Sequence, residues 1–147
     1  MNTEPVKLHK KRKERRRDAF ARNNVRYIIV HSTGTKPDML LSDLDMFPYH
    51  YLITKAGKLL NLKPVTAKDG TVELALVGGL DKQGNRADCR TLRQNETLFN
   101  TLVKLCECYP YAKIIAADKL YVYSHHNPGF DLQQWLASYV PDFLQAA

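Results

Sequence analysis

Long apolar runs and a leader-like N-terminus are both lacking from this sequence. No apolar stretch approaches the roughly 18 residues that a bilayer-spanning helix needs. The charged N-terminal residues are not followed by an apolar segment, so no secretory signal is visible. We therefore expect no membrane span and a protein that is cytoplasmic as synthesised.

Cysteine is also scarce. The chain has three, Cys89, Cys106 and Cys108, and the last two lie two residues apart in one helical pattern, on different faces. An odd number with this spacing indicates neither a disulfide framework nor a zinc knuckle. We expect reduced thiols.

Acidic residues are few at the N-terminus, where the charge of the chain is concentrated. Residues 1–26 hold ten Lys or Arg against three acidic residues, whereas the rest of the chain holds twelve of each sign. Too few apolar residues occur in 1–24 for a packed helical face. We predict a basic arm over 1–24 and one domain over 25–147. The cations between residues 7 and 26 suit a polyanion, such as nucleic acid or a wall polymer, or simply form a solvated tail.

Apolar residues in the predicted domain recur in some segments with the alternation of strands and in others with the spacing of helices. Apolar, β-rich runs predict strands at 25–30, 49–54, 59–62, 72–77 and 113–116. A capping box formed by Thr91 and Gln94 predicts the start of a long helix that Pro110 ends. A short helix is expected at 42–46, and Asp131 with Gln134 caps a last one. This mixture predicts an α/β fold, with a mixed β-sheet flanked by helices in a single domain.

His31 ends the first of these strands. The apolar run 27–30 changes abruptly to His31, which is followed by small hydroxyl residues. This pattern is typical of a strand that delivers one polar side chain to a cleft, although a histidine that merely caps a buried strand would look the same.

Five pieces in a fixed order then carry a family resemblance. They are His-Ser-Thr at 31–33, Tyr-His-Tyr-Leu-Ile at 49–53, Leu-Val-Gly-Gly-Leu-Asp at 76–81, the long helix, and Pro-Gly-Phe-Asp at 128–131. Together, over about 25–137, they resemble the zinc-dependent N-acetylmuramoyl-L-alanine amidases, which include small phage amidases and peptidoglycan recognition proteins. The resemblance implies peptidoglycan or a muropeptide as partner, which the protein would reach in the cell wall only through lysis or another export route. It also implies a zinc ion held by two His and a Cys or Asp, which activates a water molecule against the amide.

The resemblance assigns roles to particular residues. His31 matches the first zinc ligand, and Tyr49 matches a tyrosine that assists the reaction. In the alignment that follows the helix-to-strand junction, the second ligand position holds Ala117, which cannot bind metal. The third position holds Asn127, a weak neutral donor. His125 falls close to the position of an assisting lysine.

A second alignment is open. The run 123–126 ends in two histidines, and His125 or His126 would then supply the second ligand, with the loop before Pro128 shortened. The alternative for this pair is two loop histidines without a metal role.

The segments around the expected cleft are short. Seventeen residues separate His31 from Tyr49, and 64–70 lacks the His- and Asn-bearing loop of the family. We therefore predict a degenerate amidase-like domain that acts by binding, a pseudoenzyme with an incomplete zinc site. The alternative is an active zinc amidase that cleaves the muramoyl-L-alanine bond.

The remaining polar and aromatic residues suggest no further site. The acidic residues Glu73, Asp81 and Asp88 are interpreted as scattered acids without a paired site. Two tyrosines at strand spacing, Tyr121 and Tyr123, are typical of sheet packing, with stacking on nucleic-acid bases as the alternative.

Overall fold

The computed structural model describes residues 24–38, 48–66, 68–124 and 126–138. The predicted arm (apart from Asn24), the predicted short helix at 42–46 and His125 lie outside these ranges. The strands are β1 (Tyr27–Ser32), β2 (Tyr51–Ile53), β3 (Leu59–Asn61), β4 (Thr71–Leu76) and β5 (Lys113–Ala116). The helices are α1 (Leu92–Cys108) and α2 (Ala117–Leu120), and a further helical segment covers 132–138.

The five strands form one mixed sheet in the order β3-β2-β4-β1-β5. β1 lies parallel to both β4 and β5, β2 lies parallel to β4, and only the β2–β3 pairing is antiparallel. The expected α/β class is thereby confirmed. The carboxyl ends of β1, β2, β4 and β5 meet at one edge of the sheet, where open α/β sheets commonly bind ligands.

The two faces of the sheet are covered differently. On one face, Ile28 and Val30 of β1 pack in a core with Leu98, Leu102 and Leu105 of α1. The other face carries a smaller cluster of buried residues: Tyr49, Leu52, Ala75 and Val77. Because side chains alternate along a strand, His31 points to this second face, away from α1.

Helix α1 begins at the predicted capping box. The backbone N–H of Gln94 donates to Thr91 Oγ1 (3.0 Å), and the backbone N–H of Thr91 donates to Gln94 Oε1 (3.1 Å). The Gln94 side chain is fully buried, and its Nε2 also donates to the carbonyl oxygens of Ile53 (3.3 Å) and Val77 (3.0 Å). This one amide fastens the start of α1 to the ends of β2 and β4.

Two further expectations concern the described part of the chain. Cys89, Cys106 and Cys108 are all free thiols. In the described ranges, no helix has both the length and the apolar character to cross a membrane.

Candidate functional site

His31 lies near the carboxyl end of β1 and is 6% exposed. Its Nε2 is 2.8 Å from Glu73 Oε1 on the neighbouring strand β4. The register places His31 beside Ala75, and Glu73 is two residues before Ala75, on the same face. Parallel pairing and strand alternation together bring this imidazole and carboxylate into contact.

Two tyrosines enclose the His31–Glu73 pair. The hydroxyl of Tyr121, directly after α2, lies 3.1 Å from Glu73 Oε1 and 3.3 Å from Oε2 and donates to the carboxylate. The Tyr121 ring also stacks on the imidazole of His31, with ring centroids 5.9 Å apart and an interplanar angle of 22°. The ring of Tyr49 approaches the same imidazole with a centroid distance of 5.0 Å. His31, Tyr49, Glu73 and Tyr121 form what we call the His31 cleft.

Burial and hydrogen bonding set the charges in the His31 cleft. Burial alone would raise the pKa of Glu73, but hydrogen bonds from His31, Thr71 and Tyr121 outweigh it, so the pKa is lowered. Burial, followed by the charge and hydrogen bond of Glu73, raises the pKa of Tyr121 to about 12. Burial and the same carboxylate raise the pKa of Tyr49. At neutral pH, therefore, the carboxylate is ionised and both hydroxyls keep their protons.

His50 holds the backbone of Glu73 in place through a hydrogen bond. It is 1% exposed, and its Nδ1 accepts a hydrogen bond from the backbone N–H of Glu73 (2.8 Å). Since an accepting Nδ1 carries no proton, Nε2 carries it and donates to Asp69 Oδ2 (3.0 Å). His50 thus fixes the backbone at Glu73 and ties Asp69, in the loop before β4, to the sheet.

Asn127 holds the loop that follows α2. Its Oδ1 accepts from the backbone N–H of Ser32 (2.7 Å), and its Nδ2 donates to the carbonyl of Ser32 (3.1 Å). Its own carbonyl accepts from the backbone N–H of Asp118 (2.8 Å), which closes the loop on itself. Both polar atoms of the side chain therefore anchor the loop to the end of β1.

Comparison with known proteins identifies solved structures of similar architecture. No protein-family model matches the chain, and no curated protein matches it in sequence. Among solved structures, the Ph2119 endolysin from Thermus scotoductus MAT2119 bacteriophage Ph2119 is similar, with 20% identity and a TM-score of 0.61, over 78% of this chain and 83% of that one. The N-acetylmuramoyl-L-alanine amidase LysC from Clostridium intestinale URNW has 16% identity and a TM-score of 0.64, over 81% and 87%. Bumblebee PGRP-SA has 14% identity and a TM-score of 0.52, over 80% and 83%.

This chain has the amidase fold. The finding confirms the fold that the five sequence pieces predict, a mixed five-stranded sheet with helices in a single domain. At 14 to 20% identity, the likeness is one of fold.

The described residues of this amidase fold do not fit a zinc ion. Nowhere in 24–38, 48–66, 68–124 or 126–138 do three His, Cys, Asp or Glu side chains form a group that could hold a metal. Ala117, the first residue of α2, is fully buried and has no donor atom, while Asn127 is committed to Ser32. His126 is exposed, has a φ of 61°, and lines a groove with Ser32 and Asp118.

The roles that the resemblance gives to single residues stay predictions. These are the metal-ligand roles of His31, Asn127 and His126 and the catalytic roles of Tyr49 and His125. The structure brings His31 and Tyr49 together, joins Asn127 to the end of the same strand, and leaves His125 outside the described residues.

Sequence reasoning missed Glu73 and Tyr121. The interpretation of Glu73 as an acid without a paired site was wrong, because it binds both His31 and Tyr121. Tyr121 lies after α2 and not in a strand, so the prediction that Tyr121 packs in a sheet was also wrong. One signal was present: Glu73 is the sole charged residue in the run 71–77, and alternation puts it opposite the buried Val72 and Leu74.

Proposed function

We propose that this protein is an amidase-fold domain that binds peptidoglycan through the His31 cleft, without zinc-dependent hydrolysis. The proposed target is the junction between lactyl-muramic acid and the L-alanine of the stem peptide. The likeness in fold to endolysins and to a peptidoglycan recognition protein supports peptidoglycan as the partner.

The buried side chain of Ala117, at the second ligand position of the resemblance, carries the proposal, and the contact of His31 Nε2 with Glu73 fixes which ring nitrogen of His31 is protonated. A histidine binds a metal through the lone pair of an unprotonated ring nitrogen. An ionised carboxylate can only accept hydrogen bonds, so Nε2 of His31, at 2.8 Å, must carry a proton. In this arrangement Nε2 has no lone pair to offer, so His31 could bind a cation only through Nδ1, with Glu73 orienting the ring.

The second and third ligand positions support the same proposal. A metal that activates water requires about three protein ligands and one open position. The buried methyl group of Ala117 supplies no ligand, and the amide of Asn127 already has partners for both of its polar atoms. Within the described residues, the chain keeps the frame of the cleft and lacks the donor set for hydrolysis.

The cleft retains groups that can bind a muropeptide. The carboxylate of Glu73 can accept a hydrogen bond from an amide N–H, the group that the muramoyl-alanine bond presents. Tyr121, which is exposed, offers a ring face beside it, and the hydroxyls of Tyr49 and Tyr121 keep their protons at neutral pH. Binding and orientation follow from these groups, and water activation does not.

An active zinc amidase is the second candidate. It is favoured by the fold shared with an amidase and by the contact of Tyr49 with His31, the two residues to which the resemblance gives catalytic and ligand roles. It requires His31 to bind the metal through Nδ1 and further ligands to come from outside the described residues, with His125 as the candidate.

Incubation of the purified protein with insoluble peptidoglycan, with and without added Zn²⁺, tests the two candidates. We expect the protein to sediment with peptidoglycan and to release no stem peptides. We also expect well below one equivalent of zinc per chain and a melting temperature that a chelator leaves unchanged. Release of stem peptides by the wild type that is lost in His31→Ala would overturn the proposal. One tightly bound equivalent of zinc would do the same, independently of the folding of that variant.

A further inference from the structure

The loop after α2 ends in an exposed apolar tip. Tyr123 is 98% exposed, Val122 is 77% exposed, and Tyr121, which precedes them, is 37% exposed. Single exposed apolar residues are ordinary on protein surfaces, whereas a contiguous group beside a cleft marks a binding surface.

Hydrogen bonds hold this tip in place. The backbone N–H of Ser124 donates to the carbonyl of Tyr121 (3.1 Å), so Val122 and Tyr123 are the two central residues of a closed turn. The backbone N–H of Asn127 donates to the carbonyl of Ser124 (3.1 Å), and Asn127 is itself fastened to Ser32. A turn anchored this way has already lost much of the conformational freedom that binding would otherwise remove.

The tip is continuous with the His31 cleft. Tyr121 belongs to both, since its ring stacks on His31 and its hydroxyl donates to Glu73. Tyr123 is two residues further along the chain, a separation of at most about 7 Å between Cα atoms. That is about the length of one sugar unit. Tyr121 and Tyr123 are therefore close enough along the chain for one ligand to contact both residues.

The chemistry of the turn favours a neutral sugar. Residues 121–124 are Tyr-Val-Tyr-Ser, without a charged side chain. The carboxylates of a stem peptide would call for Lys or Arg at this place. A pyranose ring instead presents an apolar face of C–H groups, which stacks on an aromatic ring. Its hydroxyls can form hydrogen bonds with a tyrosine hydroxyl.

We propose that the turn 121–124 is a glycan subsite, in which Tyr123 stacks on a sugar ring of the peptidoglycan strand next to the muramic acid held at the His31 cleft. The inference rests on the proposed function, because it names the part of peptidoglycan that one edge of that same cleft recognises. It adds a binding residue, Tyr123, that no sequence motif assigns.

Tyr111 provides a matched control for Tyr123. It is 72% exposed and lies in the turn before β5, whose first residue, Lys113, pairs with Tyr27 at the start of β1. Tyr111 therefore lies near the end of the sheet where β1 and β5 begin, whereas the His31 cleft lies near the end where β1 stops. Both tyrosines can be replaced with little effect on folding, because their side chains are largely in solvent.

The experiment is a calorimetric titration of full-length wild type, Tyr123→Ala, Tyr123→Trp and Tyr111→Ala. The probes are a muropeptide (disaccharide with stem peptide) and the same disaccharide without its peptide. We expect Tyr123→Ala to weaken binding of both probes by about tenfold, a common effect of removing an aromatic contact residue. Tyr111→Ala should bind as the wild type does, and Tyr123→Trp should retain binding because it keeps a ring.

The other outcomes each overturn the glycan subsite, and one of them also overturns the proposed function. If the wild type binds the muropeptide and Tyr123→Ala binds both probes equally well, the subsite is overturned and the proposed function stands. If the wild type binds neither probe nor insoluble peptidoglycan, both proposals fall. If Tyr123→Ala leaves binding intact and instead removes self-association in sedimentation velocity, the tip is an interface between copies of the chain, which also overturns the subsite.

Discussion

Glu73 connects three parts of the cleft, because its carboxylate binds side chains from β1 and from the loop after α2. Glu73→Gln removes the charge from these hydrogen bonds and replaces one acceptor oxygen with an NH2 donor. We expect the free energy of unfolding at pH 7 to fall by about 1–3 kcal/mol, as measured by urea denaturation. Glu96→Gln, an exposed substitution on α1, is the control and should stay within about 0.5 kcal/mol. Equal stabilities for the two variants would contradict the role of Glu73.

Asp69 gives the fold a predictable pH dependence. Burial alone would raise its pKa, but hydrogen bonds from the backbone and hydroxyl of Thr66 and from His50 lower it. A lowered folded-state pKa means that the ionised form stabilises the fold above the ordinary value, near 3.9, and that this contribution is lost as the pH falls through the folded value.

The variant Asp69→Asn tests this dependence. At pH 7 we expect it to be less stable than the wild type by about 1 kcal/mol, because three charge-assisted hydrogen bonds become neutral. The difference should shrink as the pH falls below about 4, where the wild-type carboxylate also becomes neutral. Thermal melts from pH 7 to pH 2.5 measure it, with the exposed Asp118→Asn as control. A difference that does not change with pH would exclude Asp69 as the source.

Among the elements, α1 depends on one buried amide for its position on the sheet. Gln94→Ala removes the donor to Ile53 and Val77 and the acceptor for the Thr91 N–H. Buried carbonyl groups then lose a partner, so we expect a loss of about 2–4 kcal/mol in unfolding free energy. Gln134→Ala, exposed in the helical segment 132–138, should have little effect. A small loss for Gln94→Ala would mean that helix packing alone positions α1.

The elements were also what the sequence predicted best. The periodicity of the run 113–116 and the capping box at Thr91 each depend on residues close in the chain, and both are confirmed. The pairing of His31 with Glu73 could not be read in this way. It depends on β1 lying beside β4, with the two residues 42 positions apart in the sequence, and no local pattern specifies which strands become neighbours. The role of Tyr121 depends on the same long-range arrangement.

At the scale of the whole molecule, charge divides the chain into two parts. The ten cations within residues 1–26, set against three acids, predict a salt-sensitive attraction to polyanions, because binding releases condensed counterions. Deletion of residues 1–22 should abolish retention on heparin, while the melting temperature of the domain stays the same. Equal retention of the truncated protein would show that the neutral remainder binds the column, and that the arm is a solvated tail.

The central place of β1 has a consequence for the time course of biosynthesis. Tyr27 pairs with Thr71 of β4 on one side and with Lys113 of β5 on the other. Strand β1, the first of the five strands to be synthesised, therefore has both of its edges paired only after β5, the last of them, has been made. Until residue 116 is available, the apolar run 28–30 has an open edge that can pair with other chains. Such long-range pairing slows folding and delays completion of the sheet until β5 has been synthesised.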